Sequence, residues 1–143
     1  MKVKDLMTSN VTTADLNSSL TEVAQSMKSL NVGSIPVCDN NDNVVGIVTD
    51  RDIVLRSVAE GGNVSNTKAQ DVMSTHIVSV SPDTDVHEAA NVMAKYQIRR
   101  LPVVEKGRLV GIVAIGDLAT QNIHVNEAGD ALSNISQPSS PMK

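Results

Sequence analysis

An α/β (α+β) fold made of two β-α-β-β-α repeats with pseudo-twofold symmetry is predicted by three observations. The first is duplication. Lys2-Val3-Lys4-Asp5-Leu6-Met7-Thr8 recurs as Lys68-Ala69-Gln70-Asp71-Val72-Met73-Ser74. The offset stays constant as far as Pro36-Val37 and Pro102-Val103. It then shortens by one residue in a polar turn, so that Val45-Gly46-Ile47-Val48 meets Val110-Gly111-Ile112-Val113. A slip of that kind in a loop is what two copies of one fold tolerate. The second observation is an apolar stripe at helical spacing in each copy, and the third is a pair of short apolar runs after each stripe.

The elements follow in order. Val11 to Thr13 and Ile77 to Val80 read as short leading strands. Leu20, Val23, Ala24, Met27 and Leu30 then form one face of a helix, matched by Val86, Ala89, Ala90, Met93 and Tyr96. Ser19-x-x-Glu22 and Asp85-x-x-Glu88 stand at the helix starts as capping boxes. Ile35-Pro36-Val37-Cys38 and Leu101-Pro102-Val103-Val104 open with proline, which has no amide to donate and belongs at a strand start or edge. Each is followed by a polar turn and a second apolar run, a hairpin pattern. A second helix begins near Asp50 and stops at Gly61-Gly62, with its counterpart beginning near Ile115. The repeats therefore span 1–60 and 68–122, joined by a polar linker, 61–67. Residues 123–143 form an extension, with a short helix over 126–135 and a loose tail.

Composition excludes several classes. The chain of 143 residues is 41% hydrophobic, as a globular protein is. A net charge of −4 without a Lys/Arg cluster argues against nucleic acid. The longest apolar run, Leu109 to Ile115, is far too short for a membrane span. No secretory leader is evident, so a cytoplasmic location is expected. His76, His87 and His124 lack metal-ligand spacing, and no metal site is expected. Cys38 reads as a small buried hydrophobe. No base stands beside a nucleophile, so no enzyme is expected. Tyr96 is the only aromatic residue, so a bound nucleobase would have to be held by aliphatic walls and read by backbone groups.

Two groups of residues offer chemistry. In Gly46-Ile47-Val48-Thr49-Asp50-Arg51-Asp52 a strand passes through a glycine that admits a close neighbour, then turns directly into a helix. Its first turn offers amides for phosphate or hydroxyl oxygens. Asp52 is either the far half of a capping box with Thr49 or an acceptor for a ribose diol. The second copy, Gly111-Ile112-Val113-Ala114-Ile115-Gly116-Asp117, drops the hydroxyl and keeps the aspartate, which points to a task beyond the cap. Arg99-Arg100 replaces Gly33-Ser34 of the first copy, so the fold does not need the arginines. They suit bidentate phosphate contact, or they are a solvated pair on a loop.

The doubled Asp-h-Met-[Thr/Ser], x-x-h-Pro-Val and h-Gly-h-h-x-x-x-Asp patterns (h apolar) resemble a tandem pair of CBS domains, the Bateman module, over residues 2–122. The chain is similar to small stand-alone bacterial members of that family. The resemblance implies two CBS repeats packed sheet to sheet. It also implies a regulatory, non-enzymatic module that needs no cofactor and senses an adenine nucleotide in clefts between the repeats. AMP, ADP or ATP are the expected ligands, with S-adenosylmethionine or NAD behind them. Carried over by residue, one site would combine Thr49, Arg51 and Asp52 with Ile77, Val78, Arg99, Arg100, Leu101 and Pro102. A second, weaker site would combine Asp117 with Val11, Thr12, Ser34, Ile35 and Pro36, because Ala114 lacks the hydroxyl and Gly33-Ser34 lacks the arginines. The resemblance further implies a homodimer and a regulated protein partner. The rival expectation is a ligand-free structural or oligomerisation module with vestigial clefts.

Overall fold

The computed structural model describes residues 1–119 and Ile135. The expected helix over 126–135 and the tail after it lie outside the described residues, Ile135 excepted. The chain forms two compact units that do not coincide with the sequence repeats. One unit joins Met1–Val11, Val78–Glu105 and, among the described residues, those from Val110. The other joins Thr12–Ile77 with Lys106–Leu109. Each unit thus carries the helix and hairpin of one repeat and the Asp-h-Met segment of the other.

In the unit built around the first repeat, α1 (Leu20–Leu30) starts on Ser19, whose hydroxyl accepts the Glu22 amide at 3.2 Å. It ends on Asn31 in the left-handed region, a common helix stop. Leu20, Val23 and Met27 are buried, whereas Ala24 and Leu30 are exposed, so the apolar stripe is narrower than expected. Strands β1 (Ser34–Cys38) and β2 (Val44–Thr49) pair antiparallel with Ile35 opposite Val48. α2 (Asp50–Ile53) follows β2 directly and continues as a π-helical turn over Val54–Val58. Gly61, with φ of 75°, follows it. α3 (Ala69–Val72) was not foreseen; Asp71 holds its start by accepting the Lys68 amide at 2.9 Å.

The other unit repeats the plan. A short 3-10 turn (Val3–Asp5) begins with the Asp5 carboxylate accepting the Lys2 amide at 2.9 Å. α4 (Val86–Tyr96) buries Val86, Ala89, Ala90 and Met93 but leaves Tyr96 45% exposed beside Lys95. Asp85 caps it through the His87 amide at 2.8 Å. β3 (Arg100–Glu105) and β4 (Arg108–Ala114) are joined by Lys106-Gly107, with φ of 54° and 83°. Two successive positive values are the signature of the tightest hairpin turns. α5 (Ile115–Ala119) follows.

The expected leading strands shrink to single bridges, Ala14 to Val37 and Val80 to Val103. Ala14 donates to Pro36 and accepts from Cys38, both at 2.9 Å; Val80 does the same with Pro102 and Val104 at 3.1 and 2.8 Å. One step upstream, the parallel ladder would need an amide from Pro36 or Pro102, and proline has none. The prolines therefore stop the ladder.

The doubled sequence motifs prove to be two sides of one contact. Ser74 exchanges hydrogen bonds with Ile47 on β2 (3.0 and 2.9 Å), and Thr8 with Ile112 on β4 (2.8 and 2.9 Å). The neighbours admitted by Gly46 and Gly111 are the side chains of Met73 and Met7. Each unit has its own apolar cluster. Leu20, Ile35, Val37 and Val48 anchor one, and Met93, Leu101, Val113 and Leu118 the other.

Cys38 is 6% exposed, as expected of a small hydrophobe. Burial, then the charges of Asp42 and Asp39, raise its thiol pKa above the ordinary 9.0. Below pH 9 the thiol is protonated in both folded and unfolded chains. Above it the unfolded thiol ionises while the folded one keeps its proton, so stability falls until the folded pKa is passed. Wild-type stability is expected to decline more steeply than that of Cys38→Ala above pH 9, measured by urea unfolding. Parallel curves would refute the assignment.

Candidate functional site

Each unit presents a strand that runs straight into a short helix, and an aspartate closes the junction. Asp52 Oδ2 accepts the Thr49 amide at 2.9 Å while Thr49 Oγ1 accepts the Asp52 amide at 3.0 Å. Asp117 Oδ2 accepts the Ala114 amide at 2.8 Å. Both carboxylates therefore cap, the second beside an alanine where the first has a threonine. Loss of the hydroxyl at Ala114 is thus no sign of a task beyond the cap: the carboxylate alone satisfies the strand-end amide. Asp52 is also engaged on its other side. Its Oδ1 lies 3.8 Å from Arg56 Nε, and Arg56 Nη1 donates to the Val72 carbonyl at 3.1 Å. The Asp52 side chain is only 14% exposed.

A second backbone bond matches the two junctions position by position. The Asp50 amide donates to the Gly33 carbonyl at 3.0 Å, and the Ile115 amide to the Arg99 carbonyl at 2.8 Å. Gly33 and Ser34 thus stand where Arg99 and Arg100 stand in the other unit. Arg100 is half-buried. Desolvation lowers its pKa, and the Asp117 charge opposes that shift. The expected grouping put Arg99 and Arg100 with Thr49 and Asp52, and Asp117 in a separate site. Within one unit the charges of Arg100 and Asp117 interact, and strand entrance and helix start of one repeat are fastened together. Thr49, Arg51 and Asp52 share their unit with Ile77, and Arg51 is exposed. Val78, Arg99, Arg100, Leu101, Pro102 and Asp117 belong to the other unit.

Four expected contact residues are core residues. Leu101 and Pro102, like Ile35 and Pro36, are buried, and the carbonyls of both prolines already accept from the leading segments. Leu101 and Ile35 fill the two cores. By contrast, Val11, Ile77 and Val78 are half-buried and Thr12 is exposed. No hydrogen bond joins the backbone of residues 9–13 or 75–79 to any other described residue. Toward the described residues these peptide groups keep their donors and acceptors open. Sequence reading missed Asp50 and Arg56; Asp50 was legible as a charge opposite Ile115 at matched offset.

Among the described residues, no group of three His, Cys, Asp or Glu side chains is gathered that could hold a metal ion. No described helix is long and apolar enough to cross a membrane.

Two copies of one helix, hairpin and aspartate-closed turn define a tandem-repeat α+β module. The chain belongs to the CBS domain family, whose model matches residues 3–58 and 69–122. The CBS domain-containing protein YhcV of Bacillus subtilis is 47% identical over 134 residues, which cover 94% of each chain. The crystal structure of Hypoxic Response Protein I with two coordinated zinc ions superposes with a TM-score of 0.78 at 35% identity. The match covers 85% of this chain and 98% of that one; the curated protein of that name is from Mycobacterium tuberculosis. The CBS domain pair of protein MJ0100, in complex with 5′-methylthioadenosine and S-adenosyl-L-methionine, gives a TM-score of 0.73 at 30% identity. That match covers 84% of this chain and 94% of MJ0100.

Proposed function

We propose that the chain is a non-enzymatic regulatory module that binds an adenosyl ligand, an adenine nucleotide in the first instance, and signals its occupancy to a protein partner. The observation that carries this reading is the backbone of residues 9–13 and 75–79, which bonds to no other described residue, beside half-buried Val11, Ile77 and Val78. Adenine presents a donor and acceptors on its edge, and peptide groups can read them where no ring is at hand to stack. The adenosyl compounds bound to the MJ0100 pair support the same class. Arg99, Arg100 and Asp117 serve one ligand and Thr49 and Asp52 another, with Arg51 at the margin. A ligand touching residues of both repeats favours the arrangement that fits it, by its differential affinity.

A second reading is self-association. Val54, Leu55 and Val58 are 54%, 45% and 57% exposed on one helical turn, and such a patch favours an interface. A homodimer is compatible with ligand sensing and would supply a surface on which occupancy is read.

The test is isothermal titration of AMP, ADP, ATP, S-adenosylmethionine and NAD into wild type, Asp52→Asn and Asp117→Asn. Asparagine keeps an oxygen for the strand-end amide, so the charge is lost and the cap retained. Saturable binding of one ligand is expected, weakened at least about tenfold, roughly 1.4 kcal/mol, in one variant. Absence of heat from every ligand would overturn the sensor and leave self-association.

A further inference from the structure

We propose that Arg56 is the positioning residue of the first repeat's adenosyl site: anchored on the Val72 carbonyl, it aims the Asp52 carboxylate at the ribose hydroxyls of the ligand. This deepens the adenosyl-binding reading above and rests on it.

The two oxygens of Asp52 have different neighbours. Oδ2 is taken by the Thr49 amide at 2.9 Å, which closes the junction. Oδ1 stands beside the Arg56 guanidinium, with Nε at 3.8 Å. That is an ion-pair distance and longer than a hydrogen bond, so Oδ1 keeps lone pairs for an incoming hydroxyl. The cap fixes one end of the carboxylate and the cation draws the other. Of the remaining charges on that helix start, Asp50 accepts the Arg51 amide at 2.8 Å, and the exposed Arg51 pairs with no described carboxylate.

Arg56 is itself held. Its Nη1 donates at 3.1 Å to the Val72 carbonyl, at the end of α3, where carbonyls have no partner within the helix. The guanidinium is a rigid fork, so fixing one N–H orients the others. Asp71, the acid next to Val72, is turned to the Lys68 amide at 2.9 Å and does not compete for the cation. Arg56 therefore bridges the helix start of the first repeat and the Asp-h-Met segment of the second, inside one compact unit. Stability alone accounts poorly for this bridge: the Arg56 side chain is 55% exposed, and ion pairs with an exposed partner add little. At the matched place after Asp117 the second repeat has Gln121, and the charge that Asp117 meets is Arg100 at the strand entrance. The bridge is thus a device of the first repeat.

Titration of adenosine and of 2′,3′-dideoxyadenosine into wild type, Arg56→Gln, Asp52→Asn and the double variant tests this, because the second probe lacks the two hydroxyls and keeps the base. Arg56→Gln should weaken adenosine about tenfold and dideoxyadenosine by less than about twofold. In the Asp52→Asn background the same exchange should cost adenosine less than about twofold, since Arg56 acts through that carboxylate. Arg56→Lys, which keeps the charge, should return adenosine to within about threefold of wild type. Unchanged adenosine affinity in Arg56→Gln, equal losses for the two probes, or an undiminished loss in the Asp52→Asn background would overturn the proposal while leaving the adenosyl reading intact. Wild type that binds neither probe would overturn it too, and the titration described above then decides the adenosyl reading separately.

Discussion

Leu101→Ala is expected to destabilise the protein by about 2–5 kcal/mol, the range for removing a buried leucine side chain. Leu101 is 0% exposed and packs in the cluster with Val86, Met93, Val103, Val113 and Leu118. β3 holds it on one side and α4 closes over it, so the cavity left by truncation cannot readily collapse. Leu30→Ala, at a side chain 49% exposed at the end of α1, should change stability by about 0.5 kcal/mol or less. Urea unfolding of the two variants gives the comparison. A Leu101→Ala loss under about 1 kcal/mol would mean that this cluster does not hold the unit together.

Gly111→Ala is expected to cost about 1–3 kcal/mol, the usual price of forcing a methyl into filled space. A Cβ there would stand 2.9 Å from the Thr8 carbonyl oxygen and 2.7 Å from Met7 Sδ. The methionine can swing aside. The carbonyl cannot, because Thr8 is fastened to Ile112 by two hydrogen bonds. At Gly46 the main obstacle is Met73 Sδ, and the Ser74 carbonyl stands farther off at 3.1 Å. Gly46→Ala should therefore cost less than Gly111→Ala. Adding Met73→Ala should recover more of the loss at Gly46 than Met7→Ala recovers at Gly111, read as coupling energies in double-mutant cycles. Equal recovery at the two positions would show that the backbone contact is not what makes Gly111 strict.

Much of this architecture was legible in the chain itself. The duplication, the helical stripes over Leu20 to Met27 and Val86 to Met93, the proline-opened hairpins and the buried Cys38 all follow from local period and composition. Periodicity reports which residues face a core, and that depends on near neighbours in sequence. It could not report that Leu30 and Tyr96 overhang the core, since the length of a buried stripe is set by what packs on it.

The candidate site was legible in part. Sequence alone picked out Thr49, Asp52, Arg99, Arg100 and Asp117 and the family whose pattern they match. Which of them share a compact unit was decided by tertiary contacts. Arg100 lies with Asp117 because the Ile115 amide ties the helix start to the Arg99 carbonyl. Gly46 meets Met73, and Gly111 meets Met7, because each unit is completed by the Asp-h-Met segment of the other repeat. A repeated sequence states that two copies exist. It does not state which copy a segment packs on, because the competing pairings bury similar side chains. Only the path of the folded backbone separates them.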